Sequence, residues 1–254
     1  MRVKTRSNAS KIRTERTPAA LVLVLRVKTR SNASKIRAER SWDAPLASES
    51  VTRLLLIRHA PIDDTGTRLS GRETGHHLGQ TGRREATGLA DRLADISLTA
   101  VYCSPIERAA ETAAIIADKS GLEPIIEPGF NEVDMGDWAG RTLKSLQRLK
   151  AWQTVQFNPS RFHFPNGEHM VEMQSRGVRA CEQIVARHRR NDVVAGVGHA
   201  DVIKAVLSHY LGQPLDLFQR IIVGTTSVSV IDFPQSGIPV VSAINSNGGG
   251  GSWR

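Results

Sequence analysis

Residues 54–59 read Leu-Leu-Leu-Ile-Arg-His. The unbroken apolar run suits a β-strand covered on both faces, here read over 52–57, and it ends abruptly at two polar residues. A second run, Val193 to Val197, ends the same way at Gly198-His199. Working outward, residues 81–95 carry Ala86, Leu89, Ala90 and Leu93 on one helical stripe. A short strand over 99–103 precedes Ser104-Pro105-Ile106-Glu107, which reads as a helix start with Ser at the N-cap, Pro at N1 and Glu at N3. That helix carries Ile106, Ala109, Ala110, Ala113 and Ile116 on one side and stops at Gly121. A strand near 124–127 leads into a loop-rich stretch over 131–140. Helices are expected at 142–151, 168–189 and 200–211, a strand at 192–197, and two more strands near 219–223 and 226–232. This alternation predicts one α/β domain with a mainly parallel sheet. In such sheets ligands bind beyond the carboxyl ends of the strands. Arg58, His59, Ser104 and His199 all fall at such ends.

The formal net charge of +9 suggests a nucleic-acid binder until it is located. Residues 1–50 hold 12 Lys/Arg against 4 Asp/Glu, and the remaining residues hold 22 against 21. The basicity belongs to the N-terminal segment, so the body offers no broad basic face to a nucleic acid. Within that segment residues 2–16 and 26–40 repeat, differing only at Thr14 and Ala38. Two copies do not make a solenoid. The segment reads as a duplicated, disordered extension over 1–50 rather than a nucleic-acid-binding arm. A catalytic domain over 51–244 and a disordered glycine-rich tail over 245–254 complete the expected layout. Two cysteines, Cys103 and Cys181, are too few for a disulfide framework and fit a reducing, cytoplasmic compartment. No run reaches the roughly 18 apolar residues of a membrane span. The run Ala19 to Leu25 ends at Arg26 without a small-residue cleavage pattern, so export is not expected.

Two histidines with arginines close by suit phosphoryl chemistry. A phosphate monoester carries close to two negative charges, and each charge-assisted donor to it is worth roughly 1.5–3 kcal/mol. Arg58 and Arg108 can each grip two oxygens in a fork, and the helix start beside Arg108 also favours an anion. His199 can add a donor. His59 can attack phosphorus if one ring nitrogen is unprotonated, a form that neighbouring cations favour. A carboxylic acid must protonate the leaving oxygen and then take a proton from water. Glu132 and Asp134, in Asn131-Glu132-Val133-Asp134, are both candidates. Each piece has an ordinary explanation: a solvated arginine, loop acids, a satisfied histidine. His163, His169, His188 and His209 show no zinc-site spacing and read as ordinary polar residues, and His76 and His77 as candidates for the pocket rim. No P-loop, H-E-x-x-H, G-x-S-x-G or G-x-G-x-x-G pattern is present. Neither a metal nor a cofactor is expected.

The ordered set IRHA (57–60), SPIERAAETA (104–113), NEVDMGDW (131–138) and GHADVIKAVLSHYLG (198–212) resembles the histidine phosphatase superfamily, in its phosphoglycerate-mutase-like branch. RLSGR (68–72), LGQTGRREA (78–86) and PNGE (165–168) fit the same pattern, and the likeness spans roughly 52–233. It implies a three-layer α/β/α sandwich, a phosphorylated His59, and a phosphate pocket lined by Arg58, Arg108 and His199. It also implies Glu132 as proton donor and phosphate contacts from Ser70 and Gly71. Two positions depart from the family: Ala60 replaces its usual glycine, and Asp63, Asp64 and Thr65 stand where an asparagine is usual.

The leading reading is a metal-independent phosphatase acting on a small phosphorylated metabolite. The rival phosphomutase needs a lid and further cations, and the segment between Gly140 and Gly167 is short, with only Arg141, Lys144, Arg148, Lys150 and Arg161. In addition, Arg72-Glu73-Thr74-Gly75 replaces the aromatic-rich sequence of glycolytic mutases. A non-catalytic phosphate-binding module is disfavoured because every catalytic position is filled. Oligomeric state is not legible in the chain.

Overall fold

The computed structural model describes residues 50–235 and 237–248. The basic repeat and residues 249–254 lie outside the described residues. Six strands form one sheet in the order β3-β2-β4-β1-β5-β6. They are β1 (Val51–Arg58), β2 (Leu98–Cys103), β3 (Pro124–Ile126), β4 (Val193–Gly198), β5 (Val228–Pro234) and β6 (Val240–Ser246). The pairings β1–β4, β2–β4 and β2–β3 are parallel, whereas β5 runs antiparallel to β1 and β6 antiparallel to β5.

Side chains of a strand point to alternate faces, so a run apolar throughout needs a cover on each side. Leu55 and Ile57 pack with Leu89, Leu93, Ala109 and Ile116 of α1 (Gln80–Leu93) and α2 (Glu107–Lys119). Leu54 and Leu56 pack on the opposite face with Val178, Ile184, Ile203 and Val206 of α5 (Met170–Arg187) and α6 (Ala200–Tyr210). The result is the expected α/β/α sandwich. Each fully buried leucine contributes about 1.5–3 kcal/mol over its exposed state. A third cluster joins Met135, Trp138, Leu146, Val155, Phe162 and Phe164 beside the base of α5 and α6. It includes the short helices α3 (Leu143–Leu146) and α4 (Lys150–Phe157).

Several elements differ from expectation. The single helix over 142–151 is two pieces, because Leu149 takes extended dihedrals at the N-cap of α4. The break lets Leu146 and Val155 enter the same cluster. The strand near 219–223 is absent: Leu215–Arg220 is a 3-10 turn, and the edge of β1 is already occupied by β5. Ile221 and Val223 are buried by packing rather than by a ladder. The edge strand β6 was not anticipated, and it carries Asn245 and Ser246, two residues beyond the expected domain end. The helix start at Ser104 is also later than its signals imply, since Ile106 is extended and α2 begins at Glu107. None of the described helices is long and apolar enough to cross a membrane.

Candidate active site

Sheet register builds the site. Arg58 of β1 pairs with Gly198 of β4, and Cys103 of β2 pairs with Val197. The next residues along the three parallel strands are His59, His199 and Ser104, which therefore emerge side by side. The two imidazole centroids are 5.2 Å apart. Arg108, two residues into α2, reaches between them. Its Nε lies 3.3 Å from His59 Nε2 and its Nη2 lies 3.3 Å from His199 Nδ1.

These contacts fix both tautomers. A guanidinium only donates, so His59 Nε2 and His199 Nδ1 are acceptors. The proton of His59 sits on Nδ1 and is donated to the Ala60 carbonyl at 2.7 Å. That of His199 sits on Nε2 and is donated to Ser104 Oγ at 2.8 Å. Burial first, then the adjacent Arg108 charge, lowers the His59 pKa to about 3. Burial likewise holds His199 well below the usual imidazole range, with the His59 and Arg108 charges adding to it. Both rings are neutral near pH 7, and His59 presents a lone pair on Nε2.

Two guanidinium groups converge here. Arg108 Nη2 donates to the Gly71 carbonyl at 2.8 Å, and Arg58 Nη1 donates to the Val223 carbonyl at 2.8 Å. Among the described residues, Arg58 Nε and Arg108 Nη1 are two of the few buried polar side-chain atoms with no hydrogen-bond partner. Buried unpartnered donors are uncommon and call for an explanation. An anion between them would satisfy both.

Glu132 completes the ring of groups. It is buried, its Oε1 accepts from Val133 N at 2.9 Å, and its Oε2 lies 3.7 Å from His199 Nδ1. Burial, reinforced by the Asp201 carboxylate, raises its pKa to about 7 against the opposing pull of Arg108. Asp134, the other candidate acid, points elsewhere. Its Oδ1 caps Gly136 N at 3.1 Å and its Oδ2 lies 3.5 Å from Arg72.

A cavity of about 380 Å³ opens over these groups, and Arg58, His59, Ser70, Gly71, Arg108 and Glu132 line it. Met135, Leu143, Trp152, Asp201, Lys204 and Gln219 also line it. A larger groove of about 490 Å³ beside α1 and α2 has mixed charges and none of this machinery. Asp64 and Thr65 also line the cavity, at the place where the family's asparagine is missing. The rim candidates fall outside its lining: His76 lies 3.5 Å from Glu73, and His77 bonds Glu111. No group of three or more metal-ligating side chains is found among the described residues.

Sequence reading passed over three partners. Ser104 reads in the sequence as a helix cap and as one of four residues at strand carboxyl ends, but its bond to His199 is not legible there. Arg176 and Glu168 hold the Glu132 loop; Glu168 stands in the PNGE stretch without a role attached to it, and nothing local in the sequence announces Arg176.

The profile of the histidine phosphatase superfamily (branch 1) matches residues 54–246. The chain belongs to this superfamily. Phosphoserine phosphatase 1 of Hydrogenobacter thermophilus is 29% identical over 189 residues, covering 71% of this chain and 86% of that protein. A protein of Erwinia tasmaniensis named "Probable phosphoglycerate mutase GpmB" is 27% identical over 187 residues, covering 72% and 86%. Among solved structures, Bacillus stearothermophilus YhfR aligns at a TM-score of 0.71 with 29% identity, covering 78% of this chain and 98% of that one. The alpha-ribazole phosphatase of Shigella flexneri aligns at 0.69 with 26% identity and the same coverage.

Proposed function

We propose that this enzyme hydrolyses a small phosphomonoester in two steps through a phosphohistidine on His59. The observation that carries this reading is the Nε2 lone pair of a neutral, buried imidazole beside two unpartnered guanidinium donors. The phosphate binds against Arg58 and Arg108, with Ser70 and Gly71 at its edge, while His199, fully buried and outside the lining, holds Arg108 through Nδ1. Nε2 of His59 attacks phosphorus while the bond to the ester oxygen breaks. Glu132, protonated on Oε2, gives its proton to the departing oxygen. His59 keeps its Nδ1 proton, and the Ala60 carbonyl stabilises the charge that develops on the ring. Water then attacks phosphorus, the Glu132 carboxylate takes its proton, and the N–P bond breaks. The guanidinium groups supply the positive charge, so no metal or cofactor has a step to perform.

Hydrolysis is favoured over mutase chemistry because the segment between Gly140 and Gly167 lines the cavity with Leu143, Trp152 and Gln156 and none of its five cations, the further cations Arg68 and Lys204 coming from elsewhere. Buried free Cys103 and Cys181 fit a cytoplasmic setting. The test is a screen of phosphate esters with and without chelator, scored for free phosphate and for acid-labile label on the protein. Turnover that is indifferent to chelator, with label lost in His59→Ala, supports the reading. Isomer exchange of a phosphoglycerate without net phosphate release would replace it with the mutase.

A further inference from the structure

Arg176 uses all five of its N–H donors, although it lies on α5 and outside the cavity lining. Its Nη1 donates to the carbonyls of Gly129 at 2.9 Å and Asn131 at 2.7 Å. Its Nη2 donates to the Glu132 carbonyl at 3.0 Å and to Glu168 Oε2 at 3.0 Å, and its Nε to Glu168 Oε1 at 2.6 Å. Arg72 adds a second guanidinium to the same two acceptors, Glu132 O at 2.7 Å and Glu168 Oε2 at 3.1 Å. The Glu132 carbonyl thus accepts from two cations joined by one carboxylate.

That carbonyl belongs to the peptide group linking residues 132 and 133. The N–H of the same planar unit is Val133 N, which holds Glu132 Oε1 at 2.9 Å. Fixing the oxygen side of the plane fixes the direction of its N–H, and with it which carboxyl oxygen is occupied. Oε2 is the oxygen left to face His199 and the cavity. A buried ion pair is weak evidence for stability, since apolar residues of similar volume often serve as well. Its value here is geometric. The segment carrying Glu168 is itself seated tightly: a Cβ on Gly136 would stand 2.0 Å from the Pro165 carbonyl, and one on Gly167 would stand 2.4 Å from the Asp134 carbonyl.

We propose that Arg176, Glu168 and Arg72 form a positioning clamp that orients the 132–133 peptide group and so aims Glu132 Oε2 at the leaving oxygen. The inference rests on Glu132 being the proton donor. The three residues act through Glu132 and touch no reacting atom.

The test compares single-turnover phosphorylation of His59 by an alkyl phosphate, which needs the proton, and by nitrophenyl phosphate, which does not; the later hydrolysis, which also uses Glu132 and is common to both esters, stays outside the readout. Glu168→Gln and Arg176→Lys should each slow phosphorylation by the alkyl ester about 10- to 100-fold, in its rate at saturation rather than in the concentration that half-saturates it. The nitrophenyl ester should change by less than about threefold. Adding Glu168→Gln to Glu132→Gln should cost less than about twofold more, because both changes act on one proton transfer. Equal losses on both esters, or additive losses in the double variant, would overturn the clamp. Should either α5-side variant fail to fold, Arg72→Lys, which removes the Nε bond to the Glu132 carbonyl, provides the same comparison. If Glu132→Gln itself slows both esters alike, the proton-donor reading fails. If Glu132→Gln discriminates between esters and the clamp variants do not, the clamp alone fails.

Discussion

Nε of Arg108 stands 3.3 Å from Nε2 of His59, the nitrogen that we propose attacks phosphorus. In the free enzyme this contact satisfies the nucleophile's lone pair and keeps protons off it. With phosphate bound, the same N–H can turn to a phosphate oxygen. Arg108→Ala therefore removes a phosphate contact and a source of imidazole neutrality together. We expect a loss of roughly 2–5 kcal/mol in kcat/KM. The acid limb of the pH profile should also move to higher pH, because removing a cation raises the His59 pKa. An unmoved limb would show that burial alone holds the ring neutral.

The Glu132 pKa, raised to about 7, sets the alkaline side. The first step needs the protonated carboxyl, so turnover of an alkyl ester limited by that step should fall as pH rises through about 7. Nitrophenyl phosphate should show little of this decline, and Glu132→Gln should abolish it for the alkyl ester while lowering the plateau. Stopped-flow phosphorylation rates across pH 5–9 read this directly.

Ser104 Oγ is the acceptor for the His199 Nε2 proton, and all of these atoms are buried. Ser104→Ala leaves that N–H without its partner, at a cost of about 1–3 kcal/mol. Thermal or urea unfolding should register it. Activity should fall as well, since the Nδ1 acceptor that His199 offers to Arg108 is no longer fixed.

Both imidazoles titrate below their unfolded value of 6.5. A folded pKa that is lowered contributes stability present above the unfolded pKa and lost as pH falls through the folded one. The protein should therefore lose stability on acidification from about pH 6.5 downward. Replacing His199 with Gln should flatten that dependence, and melting temperatures between pH 7 and 4 would reveal the change in slope.

Those parts of the molecule that depend on local pattern were legible in the chain. The apolar runs at 54–57 and 193–197 marked two adjacent buried strands, and the polar residues ending them marked the site. Strands lacking such a run were not legible. β6 is a half-exposed edge with weak alternation, and Ile221 and Val223 look strand-like because they are apolar and buried. Ser104 satisfied every local rule for a helix cap, yet a long-range bond to His199 claims its hydroxyl. The choice between Glu132 and Asp134 was likewise not local. It depends on which carboxylate Arg72 engages and which one burial isolates. Glu168 stood in the PNGE stretch with no role attached, and Arg176 lay beyond pattern, since its meaning comes from carbonyls some 40 positions away along the chain.

The reactive imidazoles follow paired β-strands and Glu132 sits just after β3, whereas Leu143 and Trp152 of the cavity wall belong to the later stretch 139–157. On the proposed mechanism, bond-breaking and contact with the rest of the ester thus fall to separate stretches of polypeptide. Exchanging residues 139–157 for the equivalent stretch of a relative should redirect which compounds are accepted while leaving the phosphorylated intermediate intact. A scaffold divided in this way can acquire new clients without relearning its chemistry.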